Sequence, residues 1–227
     1  GPDVMEDWSA VETLTLEIAP DDFARIEAKR SEALSRWVLL ASDEDFVPGT
    51  IRLGQGEPLP AEFRLKGDWA DHFAGDKWSF RVEMEDDRYL DGMRTFSLQD
   101  PSTRTYLDEW LFMENLRAEG GLSVGYRFVR VIQNGTYMGI YALEEGFAKE
   151  LLESQGRREG LVIRYDENLL WAYRAAYEND EMVPSAVDTL LLIDEFQSGR
   201  VADDPVLGPQ RDAAVGMLRA FQRGTRP

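Results

Sequence analysis

The sequence predicts an α+β fold, with an antiparallel sheet first and a helical region after it. Strand-like alternation of apolar and polar residues recurs between Thr50 and Leu143, and the segment KWSFRVEM, residues 77–84, shows it most clearly. Helical spacing of apolar residues takes over from Leu169 onward. A chain of 227 residues, 43% of them hydrophobic, is long enough for one large domain or two small ones.

The predicted sheet is assembled from short segments. TLTLEIA, residues 13–19, alternates as an edge strand, and Pro20-Asp21-Asp22 then opens a helix, because proline and acidic residues favour a helix N-terminus. Four further strands are expected at Thr50–Leu53, Ala61–Lys66, Lys77–Met84 and Arg94–Leu98. We therefore divide the chain into an N-terminal strand and helix (1–49), a sheet-rich region (50–146) and a helical region (147–227).

The clearest predicted helix runs from Tyr106 to Glu119 and ends at Gly120-Gly121. Its apolar residues form two sides, one with Leu107, Trp110, Leu111 and Ala118, the other with Phe112 and Leu116. We therefore expect broad burial of this helix. Glu114 falls on the first side, where it either has a partner or reaches solvent at the helix margin.

A hairpin is predicted between Tyr126 and Leu143, where YRFVRVIQ and TYMGIYAL flank Asn134-Gly135. Both residues accept the positive φ angles that a type I′ turn requires. Asn134-Gly135-Thr136 also matches an N-glycosylation acceptor. The tight turn is the favoured interpretation, and we expect no glycan on Asn134.

The last third of the chain contains a short predicted strand, Leu161–Tyr165, followed by three helical patterns. These helices are expected at Leu169–Tyr177, Pro184–Gln197 and Gln210–Arg223. A sheet-rich part followed by a helical part is typical of an α+β protein, here with two lobes.

Composition excludes several classes of function. The net charge is −18 and the isoelectric point is near 4.5, so the chain would repel nucleic acid and anionic membranes. It has no cysteine, which excludes disulfides and Cys-ligated zinc. No apolar run is long enough for membrane insertion. The single histidine, His72, could act as a lone base but is better explained as a solvated or hydrogen-bonded loop residue.

Three cations surround a glycine-containing turn in the predicted sheet. Lys77 and Arg81 lie on the polar side of KWSFRVEM, opposite Trp78 and Phe80, and we expect Lys66 of the preceding strand on the same face. Cations on neighbouring strands beside such a turn could hold a phosphate. The alternative is a solvated sheet face with scattered ion pairs.

The order of several motifs resembles a known family. RLKGDWADHFAGDKWSFRVE, GMRTFSLQDPSTRTYLDEWLFMENLRAEG, VIQNGTYMGIYALEEGFAKELLE and REGLVIRYDE, between Arg64 and Glu167, are similar to the spore-coat-protein-H (CotH) kinase family. The resemblance is to its bacterial, non-spore members. It implies an atypical, two-lobed protein kinase that phosphorylates Ser/Thr of a protein with ATP and Mg²⁺ or Mn²⁺. It also implies an extracytoplasmic or envelope-associated location.

The resemblance implies roles for particular residues. The sheet would be the ATP-binding small lobe, the helix Tyr106–Glu119 would pack against it, and Glu144-Glu145-Gly146 would form the adenine-contacting hinge. Arg81 or Lys77 is preferred as the phosphate cation, with Lys66 also a candidate. Glu114 is preferred to Glu109 as the orienting acid. The usual phosphate loop, GxGxxG, is absent, so phosphate contacts would be built differently.

The chain departs from the family pattern at its end. The family's catalytic and metal-binding residues would lie beyond Pro227, because Asp166, Asp188 and Asp194 have no recognisable catalytic-loop setting. We therefore name no catalytic or metal-binding residue and expect an incomplete second lobe without phosphate transfer. Gly1-Pro2 resembles a protease-cleavage scar. The alternative function is a non-catalytic envelope or adhesion module.

Overall fold

The computed structural model describes residues 11–157, 163–176, 192–195 and 204–225. Its contacts divide the chain into two compact units, one ending at Arg157 and the other beginning at Arg158. Strands and helices occur in both units, so the predicted α+β class is confirmed. Each unit is described separately below.

The first unit is a closed barrel of seven strands. These are β1 (Thr13–Ile18), β2 (Val47–Leu53), β3 (Leu59–Leu65), β4 (Phe80–Met84), β5 (Thr95–Gln99), β6 (Tyr126–Gln133) and β7 (Thr136–Glu145). Around the barrel they follow the order β1-β2-β3-β4-β5-β7-β6. All neighbours are antiparallel except β1 and β6, whose parallel pairing closes the barrel. The prediction of a wholly antiparallel sheet with an edge strand at its N-terminus was therefore wrong, because β1 pairs on both sides.

The barrel encloses the hydrophobic core of this unit. Alternate residues of every strand point inward, and the largest fully buried side chains include Phe63, Phe80, Phe96 and Tyr141. Helix α1 (Pro20–Arg36) adds Ile26 to this core. The segments 1–49 and 50–146 both contribute residues to this core.

This unit also contains α2 (Asp108–Ala118) and α3 (Lys149–Ser154). Short 3-10 helices lie at Asp43–Asp45, Ala70–His72 and Pro101–Arg104. Helix α2 begins two residues later than predicted, because Thr105 and Tyr106 have left-handed φ angles of 51° and 65°. Broad burial of this helix was also a wrong prediction: in α2, which the structure describes throughout, no residue is buried.

The predicted hairpin is confirmed. Strand β6 ends at Gln133 and β7 begins at Thr136, with Asn134 and Gly135 at φ angles of 48° and 78°. The Asn134 amide also joins the turn to β1: its Oδ1 accepts from the Ile18 backbone N–H at 2.8 Å, and its Nδ2 donates to the Ile18 carbonyl at 3.0 Å. The turn is therefore part of the barrel closure.

The second unit mixes strands and helices. It contains β8 (Ile163–Asp166), α4 (Asn168–Ala176), β9 (Leu192–Glu195) and α5 (Leu207–Gln222), with β8 antiparallel to β9. The predicted helix Pro184–Gln197 was wrong over residues 192–195, where cross-strand pairing outweighs helical periodicity. Its remaining residues, and Asp188, lie outside the described residues. Within the described ranges, no helix has the length and apolar character to cross a membrane.

Candidate functional site

Strand register brings polar side chains together on the outer surface of the barrel. One row crosses five strands at directly paired positions, occupied by Arg64, Arg81, Ser97, Glu144 and Tyr126. These positions alternate with core residues, so their side chains leave the barrel wall on the outside. Ser97 and Tyr126 are nevertheless buried, at 1% and 5% exposure. The surface around them is therefore covered rather than fully solvated.

Lys66 stands at the centre of a polar network beside this row. Its Nζ donates to Gln99 Oε1 at 2.7 Å and forms an ion pair with Glu144. Gln99 Nε2 in turn donates to Glu109 Oε2 at 3.1 Å. The Arg104 Nε lies 3.6 Å from the same Glu109 oxygen. We call these five residues the Lys66 network.

The network is reachable from solvent at its charged groups. Gln99 is 1% exposed, whereas the side chains of Lys66, Glu144 and Glu109 are 23%, 21% and 21% exposed. Partial burial strengthens the ion pair relative to one in bulk water. Partial exposure leaves room for an anionic ligand to approach the two cations. An anion that binds here would compete with Glu144 for Lys66 and with Glu109 for Arg104.

The loop after Lys66 is held by α1. Arg30 donates from Nε to the Phe73 carbonyl at 2.7 Å and from one terminal nitrogen to the Ala74 and Gly75 carbonyls at 3.0 and 3.3 Å. The same guanidinium lies 4.5 Å from the ring centre of Trp78, and that ring stacks on Phe23. These contacts hold the later part of the loop, residues 73–78, against α1.

His72 is a buried structural residue within that loop. It is 4% exposed, and its Nδ1 lies 3.2 Å from Ser79 Oγ, which also accepts from the Asp100 backbone N–H at 3.0 Å. Burial lowers the pKa of His72 to about 4; Asp71 opposes this shift, and the positive charges of Arg104 and Lys66 add to it. His72 is therefore neutral near pH 7, which fits the hydrogen-bonded loop interpretation.

Two buried tyrosines keep their protons. Burial raises the pKa of Tyr126, and the nearby carboxylates of Glu109 and Glu144 raise it further. Burial also raises the pKa of Tyr141, with a smaller contribution from Asp100. Tyr126 therefore presents a hydroxyl donor beside the carboxylates of the Lys66 network.

The structure brings only some of the predicted site residues together. Lys66 and Glu144 meet directly, and Arg81 lies in the adjacent row opposite to the buried Phe80, as alternation predicted. Glu145 instead accepts from the Gly125 backbone N–H at 3.0 Å. The nucleotide-binding role of each residue stays a prediction.

Lys77 does not join Lys66, because β4 begins three residues after it. Its Nζ donates to the Ile140 carbonyl at 2.7 Å, lies 5.0 Å from the ring centre of Tyr141 and is 3.9 Å from Asp100. The alternation of apolar and polar residues was read as a strand from Lys77, but the strand begins at Phe80. Alternation therefore could not predict where the Lys77 side chain lies. Lys77 therefore supports the barrel wall in this structure.

Glu109, and not Glu114, faces the network. Glu114 lies five residues further along α2, about 140° around the helix axis, and pairs with Arg117. The preference for Glu114 followed its place among apolar residues, but the large apolar residues on that side are exposed, and so is Phe112 on the other side. Gln99, Arg104 and Tyr126 were missed, because nothing in their local sequence marks them as functional.

The proposed hinge is engaged in strand pairing. The backbone N–H of Glu145 donates to Gly125 at 2.8 Å, and that of Gly146 donates to Thr95 at 2.8 Å. Glu144 lies between Ser97 and Tyr126 in the pairing of β7 with both of its neighbours. The N–H groups of Glu145 and Gly146 thus take part in barrel pairing, and the adenine-contacting role of this segment stays a prediction.

A resident metal has no evident ligand set here. In the part of the chain that the structure describes, no group of three His, Asp or Glu side chains could hold a metal ion. The two carboxylates of the network, Glu109 and Glu144, are already paired with Arg104 and Lys66.

Comparison with known proteins bears on this site. The family model described as CotH kinase protein matches residues 63–188, a range that contains all five residues of the Lys66 network. A search of curated proteins found no match. The family match covers more than half of the 227 residues, and it begins within β3, the strand that leads into Lys66. The chain therefore belongs to the CotH kinase protein family.

Proposed function

We propose that this chain carries the nucleotide-binding part of a CotH-like protein kinase, which transfers phosphate from ATP to Ser/Thr hydroxyls of a protein substrate. The observation that carries the proposal is the Lys66 network. It places a partly exposed ammonium, oriented by Glu144 and Gln99, inside the range matched by the family. Phosphoryl transfer depends on positioned cations of this kind, which offset the charge of the phosphates.

Each residue of the network has a stated task in this proposal. Lys66 contacts a phosphate oxygen, and Glu144 and Gln99 keep its ammonium in position. Glu109 holds Arg104, which supplies a second cation at the other end of the network. In a chain of net charge −18, the two cations of the network are balanced by its two carboxylates, so the network is close to neutral in a negative field. Affinity for ATP is therefore expected to be modest.

Magnesium or manganese would enter with ATP. No step is assigned to the metal, because the described residues offer it no ligand set. The catalytic acid is also unassigned: Asp166 accepts from the Asn168 backbone N–H at 2.9 Å, and Asp194 lies on β9. We also propose that the protein acts at the cell envelope.

A second candidate function is a non-catalytic binding module of the envelope. The exposed apolar side of α2 favours it, since Leu107, Trp110 and Leu111 are 56%, 37% and 53% exposed. The two functions differ in whether ATP binds at Lys66. A chain that binds no nucleotide would favour the second.

The test measures MgATP binding by calorimetry. Wild type should bind, Lys66→Met should weaken binding about tenfold or more, and Lys149→Met, which alters an exposed lysine of α3, should leave it unchanged. Equal affinity of wild type and Lys66→Met, or no binding at all, would overturn the proposal. Labelled ATP would separately detect transfer. Incorporation that disappears in Asp166→Ala or Asp194→Ala would show that the catalytic acids are present.

A further inference from the structure

The hydroxyl of Tyr126 is a donor that the static network does not use. Tyr126 is 5% exposed, and among the described residues its hydroxyl has no hydrogen-bond partner. A buried donor without a partner is costly, and native proteins rarely keep one without a reason. Its position relative to Glu144 suggests what that reason is.

Tyr126 is the direct cross-strand neighbour of Glu144. The two residues pair in the register of β6 and β7, and both side chains lie on the outer face of the barrel. Directly opposed side chains have Cβ atoms about 5 Å apart, which is within reach of a tyrosine and a glutamate. Tyr126 stays protonated in this negative surrounding, because burial and the carboxylates raise its pKa.

Phosphate binding at Lys66 would compete with Glu144. The ammonium now donates to Glu144 and Gln99. A phosphate group that takes up this ammonium would weaken its ion pair with Glu144, which is only 21% exposed. Removing one partner from such a pair leaves a poorly solvated charge behind, and this opposes ligand binding. A second donor to Glu144 would remove that obstacle.

We propose that Tyr126 is a positioning residue that donates its hydroxyl to Glu144 when Lys66 turns to a phosphate group. The phosphate part rests on the proposed function. The exchange of donors itself needs only Lys66, Glu144 and Tyr126, so it can be tested without a nucleotide. In the ligand-free protein the hydroxyl has no partner among the described residues; in the liganded protein it donates to Glu144 in place of the ammonium.

The first test removes the ammonium instead of adding a ligand. Tyr126→Phe should leave the unfolding equilibrium constant of wild type unchanged or lower it, since an unpartnered hydroxyl is lost. In a Lys66→Met background, where Glu144 depends on Tyr126, the same substitution should raise that constant about tenfold. Barrel unfolding in urea is followed by hydrogen exchange of peptides from residues 126–145. Equal effects of Tyr126→Phe in the two backgrounds would overturn the proposal.

Two precautions keep this test decisive. If Lys66→Met does not fold, Lys66→Gln supplies a background that keeps a polar side chain. Tyr137→Phe is the matched control, because it removes an exposed tyrosine hydroxyl from the same hairpin. It should show no difference between the two backgrounds.

The second test measures MgATP affinity of the full chain. Tyr126→Phe should weaken binding about fivefold to tenfold although the ligand-free protein is equally stable, an outcome that a purely structural role would not produce. If Tyr126→Phe binds MgATP as tightly as wild type while Lys66→Met binds it more weakly, the exchange of donors is overturned and the proposed function stands. If Tyr126→Phe destabilises only the Lys66→Met background and the chain binds no MgATP, the exchange of donors is supported and the proposed function is overturned.

Discussion

At the scale of single residues, the loop after β3 depends on close packing between Gly67 and His72. Gly67 has a φ angle of 97°, and a Cβ atom at this position would overlap the His72 ring. His72 is in turn held by Ser79. The position therefore needs glycine for two reasons, its backbone conformation and the space beside it.

Alanine substitutions at Gly67 and Gly54 separate the two reasons, because both glycines have a positive φ angle but only Gly67 lies against a neighbouring side chain. Gly54→Ala, at a φ of 55° with no neighbouring heavy atom within 4 Å among the described residues, should cost about 1 kcal/mol of unfolding free energy. Gly67→Ala should cost about 3 kcal/mol, because the clash with His72 is added. Urea unfolding measures both variants. Similar losses would show that the ring moves aside freely.

The buried neutral state of His72 predicts a pH effect. Its folded pKa of about 4 lies below the ordinary value of 6.5, so between these values the unfolded chain binds the extra proton. Stability is therefore full above pH 6.5 and falls as pH drops toward 4, by up to about 1.4 kcal/mol per pH unit.

The His72 effect can be isolated from that of the many carboxylates. Urea midpoints of wild type and His72→Gln between pH 7 and 4.5 give two profiles, and only the wild-type profile contains the histidine proton. The difference in urea midpoint between wild type and His72→Gln should shrink as pH falls. Parallel profiles would contradict the buried neutral imidazole.

At the scale of elements, the β6–β7 turn shows how a local signal acquires a tertiary task. Asn134-Gly135 predicts the turn through positive φ angles alone. The structure adds hydrogen bonds from the Asn134 amide to Ile18 of β1. The absence of a glycan on Asn134 stays a prediction, which intact-mass measurement of secreted protein would check.

Two substitutions at Asn134 distinguish its local and tertiary roles. Asn134→Gly keeps the turn conformation but loses the amide, and should cost about 1–2 kcal/mol. Asn134→Ala should cost about 1 kcal/mol more, because alanine resists a positive φ angle. Thermal or urea unfolding measures the order of stability of wild type and the two variants. A neutral Asn134→Gly variant would show that the bonds to Ile18 add nothing.

Helix α2 shows the opposite relation between pattern and structure. Its apolar residues predicted burial, yet Leu107, Trp110 and Leu111 are exposed. The helix meets the barrel through Glu109 and Gln99 instead. Amphipathic spacing identifies an apolar face but does not say which surface covers it, so Glu114 was preferred over Glu109 for a reason that the fold does not support.

At the scale of the whole molecule, the barrel is closed by the parallel pairing of β1 with β6, which removes both sheet edges. Its hydrophobic core is built from residues between Leu14 and Leu143. The family match begins only at residue 63, so β1, α1 and β2 complete the barrel from outside the matched range.

This closure predicts that the first unit folds independently. A polypeptide of residues 11–157 should unfold cooperatively in urea, with a midpoint close to that of the barrel in the full chain, because its core and strand pairs lie within that range. Hydrogen exchange of the β6–β7 peptides provides the comparison. A fragment starting at residue 63 is the matched control and should not fold, since it lacks β1 and β2. An unfolded 11–157 polypeptide would contradict the prediction.

The sequence by itself determined the α+β class, the turn at Asn134-Gly135 and the family, because each depends on periodicity, φ preference or the order of local motifs. Only the tertiary structure decided that Glu144, 78 residues away, pairs with Lys66, and that Glu109 rather than Glu114 joins them. The physical reason is that strand order and register set these contacts. Strand order and register do not follow from the local sequence pattern. The same β6–β7 hairpin is compatible with more than one position in the sheet, and the pairing with β1 selects one of them.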